Sequence, residues 1–193
     1  DRIRLCNQII SVPYQNLAPI IFTDESTIVE NLNNGGVWRQ RGHYPPQAFY
    51  VKEAKPMSIM IWGGIGPRGY RTKLIRFDET VTKESYVSML KDNQIFNHIT
   101  QNLGNLWVWQ HDGAKPHSAQ YSMLYVLQNI PKYLKWPAHS PDLSPIEQVW
   151  SIIKKRLAGQ KFNNVDHLFQ SIEREWYSID NDTIHNIYSS FWA

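Results

Sequence analysis

The stretch 106-LWVWQHDGAKPHSAQYSMLYVLQNIPKYLKWPAHSPDLSPIEQVWSIIKKRL-157 decides the fold. LWVWQ is a short apolar run that ends in an Asp-Gly turn, the pattern of a buried strand. Pro116 suits the first turn of a helix, here 116–129. KYLKWPA reads as a second short strand, and the loop HSPDLSP is punctuated by prolines. A long helix starts at Ser144. Its apolar positions Ile146, Val149, Trp150, Ile153 and Leu157 step by three and four, and Gly159 stops it. Strand, helix, strand, helix is the grammar of a sheet covered by helices.

Upstream, 18-APIIFTDES-26 is an apolar run closed by acids and predicts a buried strand with Asp24 at its end. The runs 57-MSIMIWGGIG-66 and 72-TKLIRFDE-79 predict two more. Thr82 caps a helix in which Tyr86, Met89, Leu90 and, further on, Ile95 and Phe96 recur at helical spacing. Residues 1–16 read as a polar, partly helical lead-in ended by Pro13. Residues 30–56 are irregular, with VWRQRG and AFYVKEA as short strands or a hairpin. Two helices close the chain, one carrying Leu168, Ile172 and Trp176, the other Ile184, Ile187 and Tyr188. The expectation is one α/β domain over 1–193: a mixed sheet flanked by helices, with 30–56 as an insertion.

The 193 residues are 42% hydrophobic and 13% aromatic, enough for a real core and unlike a disordered chain. No apolar run approaches the ~18 residues of a membrane span. Cys6 is the lone cysteine, which excludes an internal disulfide and a cysteine-based zinc cluster and fits a reducing, intracellular setting. A net charge of +3 is compatible with nucleic-acid binding without requiring it. Asp1 in place of Met gives the expectation of a piece from a longer protein.

Three acids sit where α/β folds assemble sites. Asp24 and Asp112 lie at strand ends and Glu147 in the first turn of the long helix. If the first and fourth strands pair, Asp24 and Asp112 face each other and Glu147 closes the set. Such a cluster suits phosphoryl transfer on DNA, in which two Mg²⁺ ions stabilise attacking and leaving oxygens. Each acid also has a purely structural reading. Asp24 is a turn acid, Asp112 begins an Asp-Gly turn, and Glu147 completes a capping box with Ser144, which taken alone is its stronger reading.

Spacing and flanks shift that balance. Thirty-four residues separate Asp112 from Glu147. IIFTDES, HDGAKPHSA and WPAHSPDLSPIEQVWSIIKKRL closely resemble the three acid motifs of the mariner superfamily of transposases, in the branch whose third acid is Glu. VWRQRG, SIMIWGGI and the run from Phe77 to Tyr86 also look like that family, in the same order. The resemblance spans nearly the whole chain, and SPDLSPIEQVW is its most specific block. HDG stands where many relatives read QDN.

The resemblance implies an RNase H-like fold and a DDE transposase, an enzyme that cleaves transposon ends and transfers the strands into target DNA at TA. By position it implies that Asp24, Asp112 and Glu147 are the catalytic, metal-binding triad. They would hold two Mg²⁺ ions, with Mn²⁺ as a substitute. The implied partners are transposon-end and target DNA and a second copy of the chain, as a homodimer on DNA, with no membrane. Nuclear residence follows in a eukaryotic host. Relatives carry an N-terminal helix-turn-helix region that is not legible in this sequence. The competing function is a domesticated or decayed remnant that binds DNA without catalysis, whose usual mark is a lost acid; all three are kept.

His111 should point away from Asp112, as neighbours on a strand do, and pack or hydrogen-bond in the core. His117 either touches the scissile phosphate or supports the loop. Asp142 is a rival acid read as a loop residue. Lys154, Lys155 and Arg156 either contact DNA phosphates or form a solvated helix end. Arg39 and Arg41, with Lys52 and Lys55, lie in the insertion, which resembles a loop reaching a partner or DNA. Of the eight Trp residues, Trp38 beside these cations is the candidate for stacking; the others read as core.

Overall fold

Strand β1, Ile20–Val29, is the spine of the molecule. It pairs antiparallel with β2, Ser58–Ile65, along eight positions, and β2 pairs antiparallel with the short β3, Ile75–Phe77. On its other side β1 pairs parallel with β4, Val108–His111, and β4 with β5, Lys132–Lys135. The order is β3-β2-β1-β4-β5, so the first and fourth strands lie side by side, the condition on which Asp24 and Asp112 come together. The computed structural model describes residues 2, 3, 5, 7, 18–30, 56–138 and 140–192. The hairpin expected in VWRQRG and AFYVKEA, and Trp38, Arg39, Arg41, Lys52 and Lys55 with it, lie outside these residues, as does Cys6. Among the described residues, no helix is long and apolar enough to cross a membrane.

Alternation along β1 feeds two cores. Ile20, Phe22 and Ile28 face one side of the sheet and Ile21 faces the other. The first side is covered by α5, Ile146–Leu157; α6, Val165–Ser178; and α7, Asn181–Ser189. They bring Trp150, Ile153, Ile172, Trp176 and Ile184. The second is covered by α1, Lys83–Asp92; α2, Ile95–Leu103; the single turn α3, Lys115–Ser118; and α4, Gln120–Asn129. There Trp62, Trp107 and Trp109 pack with Tyr86, Phe96 and Val126. Trp62, Trp107, Trp109, Trp150 and Trp176 are all fully buried, which bears out the core reading for them.

Three boundaries differ from the sequence reading. β1 runs on to Val29, so Asp24 is a mid-strand residue rather than a terminal one. The reason is β2, whose Gly63 pairs with Asp24 and whose ladder continues to Ser58, well past the end of β4. The helix expected to continue from Thr82 through Phe96 is two helices. The Asn93 carboxamide donates to the Met89 carbonyl at 2.9 Å, competing with the helical ladder, and Gln94 turns left-handed at φ 50°. The helix expected at 116–129 breaks at Ala119 (ψ 140°), and the Ser122 hydroxyl takes up the Pro116 carbonyl left open there. Thr82 does cap α1, in a capping box with Ser85.

Candidate active site

β1 and β4 part company after Phe22 pairs with Gln110. Where the ladder ends, the Gln110 side chain accepts from the Thr23 N–H and its carbonyl accepts from the Thr23 hydroxyl at 2.7 Å. Beyond that lock the strands diverge and a cleft of about 420 Å³ opens. It lies at the carboxyl ends of the parallel strands β4 and β5 and beside the middle of β1, the side on which open α/β sheets bind ligands. Asp24, Asp112 and Glu147 all line it, together with Ser140 and Ser144.

Asp24 enters from the face covered by α5. The Trp150 indole N–H donates to its Oδ2 at 3.2 Å. Trp150 is one turn beyond Glu147 on α5, so one helix face presents both residues to the cleft side. Gly63, opposite Asp24 in the ladder, makes the approach possible. A Cβ there would stand 3.0 Å from both the Trp150 and the Trp176 rings, which stack with centroids 5.2 Å apart. The Asp24 carboxyl is pushed up to about 7, by burial first and then by the negative charges of Glu147 and Glu25.

Asp112 follows β4 directly and is held quite differently. Its Oδ1 accepts from the Ala114 N–H at 2.9 Å and lies 2.6 Å from His117 Nδ1. The other imidazole nitrogen, Nε2, lies 3.0 Å from Glu25 Oε1. Burial alone would lower the His117 pKa, but the bonds to Asp112 and Glu25 outweigh it and raise it to about 10. His117 is therefore an imidazolium donating to both carboxylates. Asp112 in turn is held below the usual carboxylate range, chiefly by the bond to His117. His111 packs on the far side of the His117 ring, 5.2 Å away and nearly parallel. Burial and the His117 charge push His111 down to about 3, so it is neutral. The Tyr86 hydroxyl and His111 Nδ1 share a hydrogen bond at 2.8 Å, and His111 Nε2 is buried without one. His111 is the buried, hydrogen-bonded residue that strand alternation predicts.

Glu147 has neither kind of support. The capping box expected with Ser144 does not form: α5 starts at Ile146 with Pro145 before it and no side-chain cap. The Ser144 hydroxyl is buried without a hydrogen bond. The Glu147 carboxylate is thus left to the cleft. The acids share a cleft without forming a closed ligand set, since among the described residues no three acidic, histidine or cysteine side chains stand close enough to enclose an ion. What they offer suits a hard divalent cation. Asp24 is bonded by the Trp150 indole and by the Glu25 backbone, Asp112 takes both of its bonds on Oδ1, and Glu147 has no side-chain bond among the described residues.

The remaining candidates stand apart. His117 is buried, with both nitrogens engaged. Asp142 is exposed and paired with Arg2. Lys154, Lys155 and Arg156 occupy the last turn of α5, at the opposite end from Glu147, and Arg156 bonds Glu175 and Ser178 on α6. Glu25 and Trp150 are the residues the sequence reading passed over. Glu25 is Asp24's neighbour, and alternation along β1 sends it to the opposite face, where His117 waits.

Residues 19–169 match the family described as DDE superfamily endonuclease. The chain is 29% identical over 199 aligned positions to the Tcb1 transposable-element transposase of Caenorhabditis briggsae, covering 98% of this chain and 70% of that protein. It is 28% identical to the Tc1 transposase of Caenorhabditis elegans, covering 91% of this chain and 65% of that one. A crystal structure of the Mos1 mariner paired-end complex with Mn superposes with a TM-score of 0.72 at 18% identity, over 98% of this chain and 58% of the Mos1 chain. The shared fold is the RNase H-like mixed sheet with flanking helices. The chain thus spans about two thirds of these curated relatives and less of the Mos1 chain.

Proposed function

The chain belongs to the DDE superfamily endonucleases and is a transposase catalytic domain of the mariner superfamily, and on that premise we propose that it cuts transposon ends and joins them to target DNA through Asp24, Asp112 and Glu147. The observation that carries this reading is the shared cleft, in which Asp24 is buried beside two further carboxylates and, among the described residues, pairs with no Lys, Arg or His. A Mg²⁺ or Mn²⁺ pair bound there would polarise the scissile phosphate and stabilise the attacking and leaving oxygens. The reading of two ions rests on three carboxylates lining one cleft. A Mos1 complex carrying Mn supports divalent metal as the cofactor class.

The chain's own residues divide the work. Trp150 orients Asp24 and excludes water from one side of it. His117 fixes Asp112 and balances its charge from below. Glu147 projects from the first turn of α5, where the helix dipole favours an anion. Lys154 and Lys155 are the described cations we assign to DNA phosphates; Arg39 and Arg41, outside the described residues, are assigned to DNA on their charge alone. Insertion at TA and a homodimer on DNA belong to the same reading; a paired-end complex of Mos1 supports DNA ends as the partner.

The test is nicking of a supercoiled plasmid with Mg²⁺ or Mn²⁺, together with joining of a 3′-hydroxyl duplex end to that plasmid. Activity that needs the metal and disappears in Asp24→Asn, Asp112→Asn and Glu147→Gln is the expected result. Retained cutting in all three variants would sink the assignment.

A further inference from the structure

We propose that Glu25 and His117 are a positioning pair that sets which oxygen of Asp112 faces the cleft. The inference rests on the metal-site reading above and extends it to two residues outside the acid triad. His117 Nδ1 stands 2.6 Å from Asp112 Oδ1, and its Nε2 stands 3.0 Å from Glu25 Oε1. One imidazole thereby ties the end of β4 to the middle of β1. The ring has little freedom to turn. Tyr86 packs against it with centroids 4.3 Å apart, and His111 stacks beyond at 5.2 Å. His117 is 3% exposed, and the Glu25 side chain is 16% exposed.

The consequence falls on Asp112. Both hydrogen bonds it accepts converge on Oδ1, from Ala114 N–H and from His117. Its Oδ2 has no hydrogen bond among the described residues, and Asp112 lines the cleft together with Asp24 and Glu147. Without His117 only the Ala114 bond would remain, and the carboxylate could rotate about χ2, exchanging its oxygens. Glu25 touches neither the cleft nor Asp112. It acts through His117, by accepting from Nε2 and so holding Nδ1 on Asp112. An outer partner that orients a metal ligand in this way typically contributes about 10–100-fold in metal affinity.

The experiment is a Mn²⁺ titration of the whole chain, followed by the electron paramagnetic resonance signal of free Mn²⁺, with thermal melting as the folding control. His117→Leu should weaken Mn²⁺ binding by about 10–100-fold. His117→Asn keeps a donor near the Nδ1 position and should recover most of the loss, which a merely space-filling role would not produce. Glu25→Ala should weaken binding in the wild-type background and add nothing in the His117→Leu background, because a residue that acts through another is not additive with it. Should His117→Leu melt too early to titrate, the His117→Asn and Glu25→Ala arms still decide. Wild-type affinity in Glu25→Ala, His117→Asn and His117→Leu, with binding lost in Asp112→Asn, would overturn the pair alone. Wild-type affinity in Asp24→Asn and Asp112→Asn would overturn the metal site and the pair with it.

Discussion

Asp24 and Asp112 line the same cleft, yet the protein treats them in opposite ways. Asp112 has an imidazolium beneath it and two donors on one oxygen, and its carboxyl is held low. Asp24 has the Trp150 indole, the Glu25 backbone and two carboxylates for neighbours, and burial pushes it up to about 7. Among the described residues, the charge on Asp112 is balanced by a cation and that on Asp24 is not. Burying an unpaired carboxylate destabilises a protein, so the position of Asp24 is a cost that a bound cation would remove. The second face of the sheet supplies rigidity and the first supplies demand.

Substitutions probe that contrast. The largest effect is on chemistry: Asp24→Asn, Asp112→Asn or Glu147→Gln should each lower plasmid nicking by roughly a thousandfold or more, since metal stabilisation of the transition state supplies several kcal/mol. The same two Asp changes should then split in sign when thermal stability is measured in EDTA at pH 8. Asp24→Asn removes a buried, repelled charge and should raise the melting temperature, by on the order of 1–4 kcal/mol of stability. Asp112→Asn strips His117 of its charged partner and should lower it. Because the folded carboxyl of Asp24 titrates higher than an ordinary one, its penalty is absent below about pH 4 and grows as pH rises toward 7. The gain from Asp24→Asn should therefore vanish near pH 4. Equal signs for the two variants at pH 8 would break the comparison.

Smaller effects sharpen it. Gly63→Ala places a methyl against Trp150 and Trp176 and should cost about 1–3 kcal/mol in urea denaturation, with Mn²⁺ affinity falling in parallel as Trp150 shifts from Asp24. Trp150→Phe keeps the packing and removes the donor, so a Mn²⁺ titration should show a loss of about tenfold with little change in melting. Lys155→Ala should leave both carboxylates alone and reduce the slope of log affinity for DNA against log salt by about one unit.

How much of this was legible in the sequence follows from the physics of each feature. Apolar runs and helical spacing reported the strands and main helices, because burial patterns are local. The α/β grammar implied a mixed sheet and left the pairing of the first and fourth strands as a condition; the shared cleft follows from that pairing. The extent of β1 was not legible, because it depends on β2, a partner thirty residues downstream. The break at Gln94 depends on one Asn93 side chain that competes with the backbone, which periodicity does not register. Glu147 was legible as a capping residue on composition alone, and the proline at 145 cancels that role by taking the cap position itself. Glu25 escaped notice because its partner lies 92 residues away. Strand alternation beside Asp24 was the signal that could have raised it.

The most direct test of the central claim is an anomalous difference map from crystals of this chain soaked in Mn²⁺. The account predicts a peak within about 2.0–2.3 Å of carboxylate oxygens of Asp24 and Asp112, with the Glu147 carboxylate drawn toward it. Crystals that hold Mn²⁺ elsewhere on the surface, with Asp24 and Asp112 both without a peak, would contradict it.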